Sequence, residues 1–320
     1  MQFKCVRSEI IDDKIVNHFH RVWPHYRKWF LSEGLEARQS YAAGRAAIEH
    51  YMPEILNIYD KIVTLVGGGD AESRFLSLYI PPPYMTGCSQ AVWNRDELYL
   101  IKNYDYGPNL FERRMFYTNW LKPIIGMSDC VWGLLDGINS DGLIASLTFG
   151  GSNLVGGGFG IPLIVRYILE TCATTQQAMD ILQRVPSHMA YNVSLLDKEG
   201  SYIVAMVRPG KPTSFQHELI ATNHQEHIDW QKYATLSKTI ERYQFLKTAL
   251  QNQLLSSAEF KYLFNQSPLY NLDYRNGFGT LYNIIYNPHT LSAVVNLHGN
   301  YINQSIHHFV ETRSEVSWGQ

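Results

Sequence analysis

The residues of this chain that could do chemistry together stand at one Gly-Cys bond. Residues 81–90 read PPPYMTGCSQ, so a proline run forces an extended approach to Gly87 and Cys88. Gly87 has no side chain and leaves its carbonyl open to the neighbouring thiol. A thiol beside a fixed, open carbonyl can cleave its own chain through an N-to-S acyl shift followed by hydrolysis.

Cleavage before Cys88 would turn this residue into a new N-terminus. A free α-amine has a pKa of about 7.7–8.0, so a large share is neutral at physiological pH and can act as the base for the thiol of the same residue. Nucleophile and base would then occupy one residue. A buried structural cysteine is the alternative reading, since free cysteines are often buried.

The elements that must position this bond come in blocks. Helical periodicity runs from about residue 12 to 66 and ends at the glycines 67–69, and residues 81–87 have the composition of a linker. Beyond them the patterns predict, in order, a hairpin in AVWNRDELYLIKNYDY, strands in CVWGLLDGINSDGLIASLTFG, helices in IPLIVRYILETCA and TTQQAMDILQRV, a hairpin in AYNVSLLDKEGSYIVAMVRP, a strand at ELIATN, a helix over about 236–252 and a hairpin in GTLYNIIYNPHTLSAVVNL. This order predicts antiparallel sheets covered by helices.

Charge and hydropathy exclude several classes of partner. The 27 basic and 29 acidic residues are mixed along the chain, with no basic block for a nucleic acid backbone. The first residues, MQFKCVRSEIIDDKIVNHF, lack the apolar core of a secretory signal, and no run of about 18 apolar residues follows. We therefore expect a cytoplasmic protein that binds neither nucleic acid nor membrane.

Metal and cofactor signals are weak. The four cysteines are far apart in sequence, which predicts neither a disulfide framework nor a zinc site. His224 and His227 in HQEH lack a third ligand, so we predict no metal. The glycine-rich FGGSNLVGGGFGIP lacks the Lys-Ser/Thr of a P-loop, which favours a pocket-lining loop over a phosphate cradle. No cofactor is predicted.

Five segments in order resemble one enzyme family: GCSQAVWNRDELYLIKNYDYGP, WGLLDGINSDGLIASLTFGG, AYNVSLLDKEG, IATNHQ and SKTIERYQFL. They are similar to acyl-coenzyme A:6-aminopenicillanic acid acyltransferases, which are N-terminal-nucleophile (Ntn) hydrolases related to penicillin V acylases and bile salt hydrolases. The resemblance runs from roughly residue 40 to 300. It implies an α+β fold, an αββα sandwich of two antiparallel sheets between helical layers.

The resemblance also implies roles for individual residues. Cys88 would be the nucleophile, Asp105 would hold its amine or thiol, and Asn223 would donate a hydrogen bond to the oxyanion. Without the resemblance, Asp105 reads equally well as a strand-end cap and Asn223 as a loop amide. Arg242 matches an arginine near the pocket of bile salt hydrolases, and a solvated helix position carries equal weight. Asn192 is a further pocket candidate.

One position departs from the relatives' motif. Bile salt hydrolases and penicillin V acylases have an arginine in an RNxD motif that reads KNYD here, with Lys102 and Asn103 as candidate pocket residues. A lysine keeps the positive charge that lowers a thiol pKa but lacks the bidentate guanidinium. The role that the relatives assign to that arginine is therefore in doubt at Lys102.

These observations predict a cysteine Ntn amidase that cleaves linear C–N amide bonds through a Cys88 thioester, after autoproteolysis at Gly87-Cys88. Residues 1–87 would form a helical pro-segment or α-subunit integrated with the fold, and residues 88–320 the catalytic domain. One alternative is an acyltransferase that moves an acyl group from a thioester to an amine, and another is a non-catalytic binding protein. The expected partners are a small-molecule amide or acyl donor and a second copy in a homo-oligomer.

Overall fold

The computed structural model describes residues 1–318. Its helices are α1 (Asp13–Phe30), α2 (Tyr41–Tyr51), α3 (Leu56–Leu65), α4 (Asp70–Leu76), α5 (Ile161–Thr171), α6 (Thr175–Arg184), α7 (Gln231–Ser237), α8 (Thr239–Gln251) and α9 (Ser257–Leu263). Its strands are β1 (Gln2–Ser8), β2 (Gly87–Asn94), β3 (Leu98–Tyr106), β4 (Arg114–Asn119), β5 (Pro123–Asp129), β6 (Gly133–Asn139), β7 (Ile144–Phe149), β8 (Tyr191–Leu196), β9 (Tyr202–Arg208), β10 (Lys211–Gln216), β11 (Ile220–Ala221), β12 (Gly279–Asn287), β13 (Ser292–Leu297), β14 (Asn300–Ser305) and β15 (Thr312–Glu315).

The N-terminal region is helical, as its periodicity predicts. The Asp12 side chain accepts a hydrogen bond from the Lys14 amide and caps α1. Apolar residues at helical spacing, Ile15, Phe19 and Trp23, then form the buried face of this helix. The one element that the sequence reading missed here is β1, which precedes the helices.

Two sheets build the body of the molecule. The larger has nine strands in the order β10-β9-β8-β7-β6-β5-β4-β1-β15, and the smaller has six in the order β11-β2-β3-β12-β13-β14. Within residues 1–318 the strand pairs are antiparallel except β1 with β4, which run parallel. The N-terminal strand thus lies inside the larger sheet, between β4 and β15.

The two sheets face each other, and helices cover their outer faces. Gln90 of β2 donates to Ser194 of β8 across the interface at 2.7 Å, and Lys102 of β3 reaches Asp136 of β6 at 2.8 Å. Helix α5 packs against β6 and β7, while α8 packs against β2 and β11. The fold is therefore an αββα sandwich of the α+β class, as predicted.

Several local predictions need correction. The predicted strand at ELIATN contains only the two residues of β11, and the helix expected over about 236–252 is divided into α7 and α8 by Lys238, whose φ is +51°. Strands β4 and β5 were not predicted. Residues 81–87 are not a free linker, because Pro81, Pro82, Thr86 and Gly87 are buried. Within residues 1–318 no helix has the length and apolar character needed to cross a bilayer.

Candidate active site

Cys88 lies one residue into β2, in the interior of the sandwich. Strand β2 pairs with β3 so that Cys88 is opposite Tyr104 and Gly87 is opposite Asp105. Successive side chains of a strand point to opposite faces, and directly opposed residues share a face. The Cys88 thiol therefore faces the other sheet, and its side chain has no exposed surface.

Burial keeps this thiol protonated in the uncut chain. It raises the pKa of Cys88 to about 11, and Asp105 adds to the rise, whereas the Lys102 ammonium, the Thr86 hydroxyl and Arg242 oppose it. The Thr86 Oγ1 lies 3.8 Å from the Cys88 Sγ. A thiol in this state is a poor nucleophile at neutral pH.

Asn223 holds the backbone nitrogen of Cys88. The Cys88 amide donates to Asn223 Oδ1 at 2.9 Å. Asn223 Nδ2 donates to the carbonyl oxygens of Thr86 at 3.3 Å and Phe149 at 3.2 Å. Although β11 is short, it pairs Ile220 and Ala221 with β2, and this places Asn223 beside Cys88.

Arg242 connects the residues around Cys88. From α8 it donates to the Cys88 carbonyl at 2.5 Å, to Ser89 Oγ at 2.8 Å and to Asn223 Oδ1 at 2.7 Å. A fourth bond runs to the Ser237 carbonyl at 2.9 Å. Only 3% of Arg242 is exposed. Of the two sequence interpretations, the structure therefore places this arginine in the site and not in solvent.

Asp105 approaches Cys88 from the face opposite to the thiol. Its Oδ2 lies 3.5 Å from Arg242 Nη1, and its Oδ1 accepts a 2.7 Å hydrogen bond from Thr280. Burial raises the pKa of Asp105 to about 6, and Arg242 and Thr280 oppose this rise. The glycine at 87 makes room for the carboxyl, since a Cβ there would lie 3.0 Å from Asp105 Cβ.

Lys102 and Asn103 are bound elsewhere. Lys102 forms a buried ion pair with Asp136, which also accepts from the hydroxyls of Tyr282 at 2.8 Å and Tyr286 at 2.7 Å. Asn103 Nδ2 donates to the carbonyl oxygens of Phe264 and Leu269 on the opposite face. Neither side chain hydrogen-bonds to Cys88, Asp105, Asn223 or Arg242 within the described part of the chain. Lys102 acts on the thiol through its charge alone.

Asn192 supports the segment that carries Asn223. From β8 its Nδ2 donates to the carbonyl oxygens of Thr222 and His224, each at 2.9 Å. These two residues flank Asn223 in the chain. The glycine-rich loop lies directly against the same segment. The approach is so close that a Cβ on Gly151 would lie 2.4 Å from the Asn223 carbonyl oxygen. That loop packs behind the site.

The sequence of residues 93–301 matches the family model described as acyl-coenzyme A:6-aminopenicillanic acid acyl-transferase. The chain belongs to this acyltransferase family. The matched range includes Asp105, Asn192, Asn223 and Arg242 and begins shortly after Cys88. Comparison with curated protein sequences gives no match.

Solved structures place the acyltransferase-family chain in a wider fold group. A mutant conjugated bile acid hydrolase from Clostridium perfringens aligns with a TM-score of 0.51 at 10% identity, over 72% of this chain and 97% of that chain. Penicillin V acylase from Agrobacterium tumefaciens aligns with a TM-score of 0.47 at 14% identity, over 69% and 86% of the two chains. At such identities the structural likeness concerns the fold, which this chain shares with the bile acid hydrolase.

The candidate site contains residues that the sequence did not predict. The segment before Cys88 is held in place by Tyr233, whose hydroxyl donates to the Thr86 carbonyl at 2.6 Å. The Tyr84 ring packs against both His188 and Tyr191, with centroid distances of 6.1 Å to each. The proline run signalled a fixed segment, but no local pattern indicated Tyr233. Among residues 1–318, no group of three or more His, Cys, Asp or Glu side chains could hold a metal ion.

Proposed function

We propose that this chain is a self-processing cysteine amidase of the Ntn type, which cleaves linear C–N amide bonds of small molecules through a Cys88 thioester. The observation that carries the proposal is the environment of the Cys88 backbone nitrogen. Asn223 Oδ1 accepts its hydrogen bond at 2.9 Å, and Arg242 and Asp105 surround this contact. Such a cradle around one strand amide fits an atom that becomes a free amine.

The first step of the proposal is cleavage of the Gly87-Cys88 bond. The Cys88 sulfur attacks the Gly87 carbonyl carbon, the C–N bond breaks, and the thiol proton passes to the departing nitrogen. Water then hydrolyses the Gly87 thioester and returns the thiol. The products are a chain that ends at Gly87 and a chain that begins with the Cys88 amine.

Cleavage would supply a new general base, the Cys88 amine, and would free the segment that precedes Cys88. The new amine accepts the thiol proton during attack on a substrate, and Asp105, ionised above about pH 6, orients the resulting ammonium. Withdrawal of residues 81–87 would open space beside Cys88 and would remove the Thr86 carbonyl from Asn223 Nδ2. Nδ2 then becomes a donor for the oxyanion of the substrate.

The catalytic cycle follows from the same groups. The Cys88 sulfur attacks the amide carbonyl of the substrate, the amine product leaves with the proton held by the Cys88 amine, and an acyl thioester remains. Water deprotonated by that amine hydrolyses the thioester. Asn223→Ala should slow acylation by about 10²-fold, since one oxyanion donor contributes roughly that factor.

Acyl transfer is the second candidate, and the family-model match supports it, because the matched family is described as an acyl-transferase. Both reactions share the Cys88 thioester and differ in whether water or an amine receives the acyl group. Product partitioning with an activated acyl ester and increasing amine concentration distinguishes them. Saturable amide formation that outcompetes hydrolysis would favour the transferase.

Intact-mass measurement on denatured protein tests the processing step. We expect fragments of residues 1–87 and 88–320 from the wild-type chain and a single chain from Cys88→Ala. A mechanism-based thioester probe should label only the 88–320 fragment. An active wild-type enzyme that stays uncut would contradict self-processing, and an active Cys88→Ala variant would contradict the whole mechanism, including the reading of Cys88 as the nucleophile.

A further inference from the structure

A cavity lined by charged side chains lies at the edge of the nine-stranded sheet, where β1 and β15 pair. It has a volume of about 640 Å³, and none of its lining residues belongs to the site around Cys88. Its lining includes Lys4, Lys14, Arg21, Arg114 and Arg313, with Glu311 as the one acidic residue. The proposed amidase reaction uses none of these side chains.

Three of these cations lie side by side across neighbouring strands. Lys4 of β1 is opposite Arg114 of β4 on one side and opposite Arg313 of β15 on the other. Like charges directly opposite each other destabilise a sheet. Helix α1 brings a further cation, Arg21, onto this cavity. The fold thus retains an arrangement that is unfavourable while the cavity contains no anion.

Carboxylates act on the buried Arg114 without forming an ion pair with it, since Glu112, Asp12 and Glu311 each favour its charged form. Within residues 1–318, Lys4, Arg21, Arg114 and Arg313 form no ion pair with a carboxylate, and Glu311 is paired at 3.0 Å with Lys14. The surroundings of Lys4 lower its pKa, through burial first and then through repulsion from the three arginines. Positive charges therefore outnumber carboxylates in the lining of this cavity, which favours binding of an anion from outside the chain.

Two buried polar atoms at the cavity are also unpartnered. Arg114 is only 3% exposed, and its Nε has no hydrogen-bond partner. The Oγ1 of Thr312, which also lines the cavity, is buried without a partner. Buried donors of this kind normally find a partner, so the cavity has the character of a binding site.

We propose that this cavity binds a polyphosphate anion, either free or as part of a nucleotide. Neighbouring strands are about 4.8 Å apart, so the row from Arg114 to Arg313 spans roughly 10 Å, which suits linked phosphates better than a single one. Guanidinium groups bind phosphate oxygens in pairs, and lysine adds a point charge. The volume leaves room for the organic part of a nucleotide.

Titration calorimetry on the full-length Cys88→Ala chain, in which cleavage cannot vary, tests the proposal. The probes are tripolyphosphate, pyrophosphate, ADP and orthophosphate at equal ionic strength. We expect the first three to bind at least about tenfold more tightly than orthophosphate. If the natural ligand is a nucleotide, ADP should bind more tightly than pyrophosphate. If it is a free polyphosphate, tripolyphosphate should bind more tightly than ADP. Equal affinity for all four anions, or no binding, would overturn the proposal.

The variant Lys4→Gln separates a binding role from a structural one. It removes the central charge of the row, so the ligand-free protein should melt at a higher temperature while tripolyphosphate affinity falls at least about tenfold. Arg313→Gln, at an exposed edge position, should weaken binding similarly. Lys28→Gln, on the exposed face of α1 outside the cavity, is the matched control. Wild-type affinity in Lys4→Gln and Arg313→Gln would refute the site.

Discussion

Replacement of Arg242 by methionine should destabilise the protein in a manner that depends on pH. The methionine retains apolar bulk but removes the guanidinium that donates to the Cys88 carbonyl and to Asn223 Oδ1, and it leaves the buried Asp105 carboxyl without its counter-charge. Removal of one member of a buried ion pair typically costs about 3–5 kcal/mol. We expect about 4 kcal/mol at pH 8, a large part of the stability of an ordinary domain.

The pH dependence of this loss identifies its cause. In the wild-type chain the pKa of Asp105 is about 6, and Arg242 is the main group that opposes a higher value. Without Arg242 this pKa rises further, so the folded variant holds a proton that the unfolded chain has released. Its stability should fall by about 1.4 kcal/mol per pH unit between pH 6 and its new pKa, where Asp105 of the wild type contributes no slope.

The measurement is urea denaturation at pH 6, 7 and 8, followed by tryptophan fluorescence in the Cys88→Ala background. Arg242→Met combined with Asp105→Asn is the matched control, because it has no carboxyl to titrate and should lose the extra slope. The ion-pair reasoning is wrong if Arg242→Met shows the wild-type slope from pH 6 to 8, or if its free energy of unfolding lies within about 1 kcal/mol of the wild type at pH 8.

Three further predictions concern residues at or near the site. Stability is measured in the Cys88→Ala chain, and cleavage is measured in a chain that keeps Cys88. Because the folded pKa of Asp105 is raised to about 6, stability should fall by about 3 kcal/mol as pH rises from about 4 to 6, and Asp105→Asn should lack this fall in urea titrations. Gly87→Ala in the otherwise wild-type chain should slow cleavage by about tenfold, since the new Cβ displaces Asp105 from the scissile bond. A mass-spectrometric time course measures the rate, and cleavage at the wild-type rate would show that this packing is unimportant. Lys102→Met should cost about 3–5 kcal/mol by denaturation, because Asp136 is left buried without its cation, and Asp136→Asn in the same chain should restore part of that loss.

The sequence predicted the elements whose signals are local. The β2–β3 hairpin follows from two strand-like runs separated by a polar turn. Strand β1 was not predicted, because the N-terminal residues were interpreted by their charge and not by their alternation of buried and exposed positions. The alternation of buried Phe3 and Cys5 with Lys4 was the period-two signal that could have revealed it.

Partners across the sandwich could not be predicted from the sequence. The burial of Arg242 depends on α8 packing against β2 and β11, which bring residues far apart in the chain together. The Lys102 ion pair with Asp136 joins strands of different sheets. A single sequence shows that these side chains are polar or charged but not which group each one meets, so interpretations of Arg242 as solvated or as part of the pocket were equally consistent with it.

The place of β1 inside the nine-stranded sheet affects how a processed molecule would behave. Strand β1 pairs on both sides, with β4 and with β15, and these two strands belong to the part of the chain after Cys88. After cleavage the two fragments would stay associated without a covalent link. Unfolding would then separate them, and refolding would become a second-order reaction, so that the apparent melting temperature would depend on protein concentration. The uncut chain would refold from a single molecule, and self-cleavage would make folding effectively a one-way event in dilute solution.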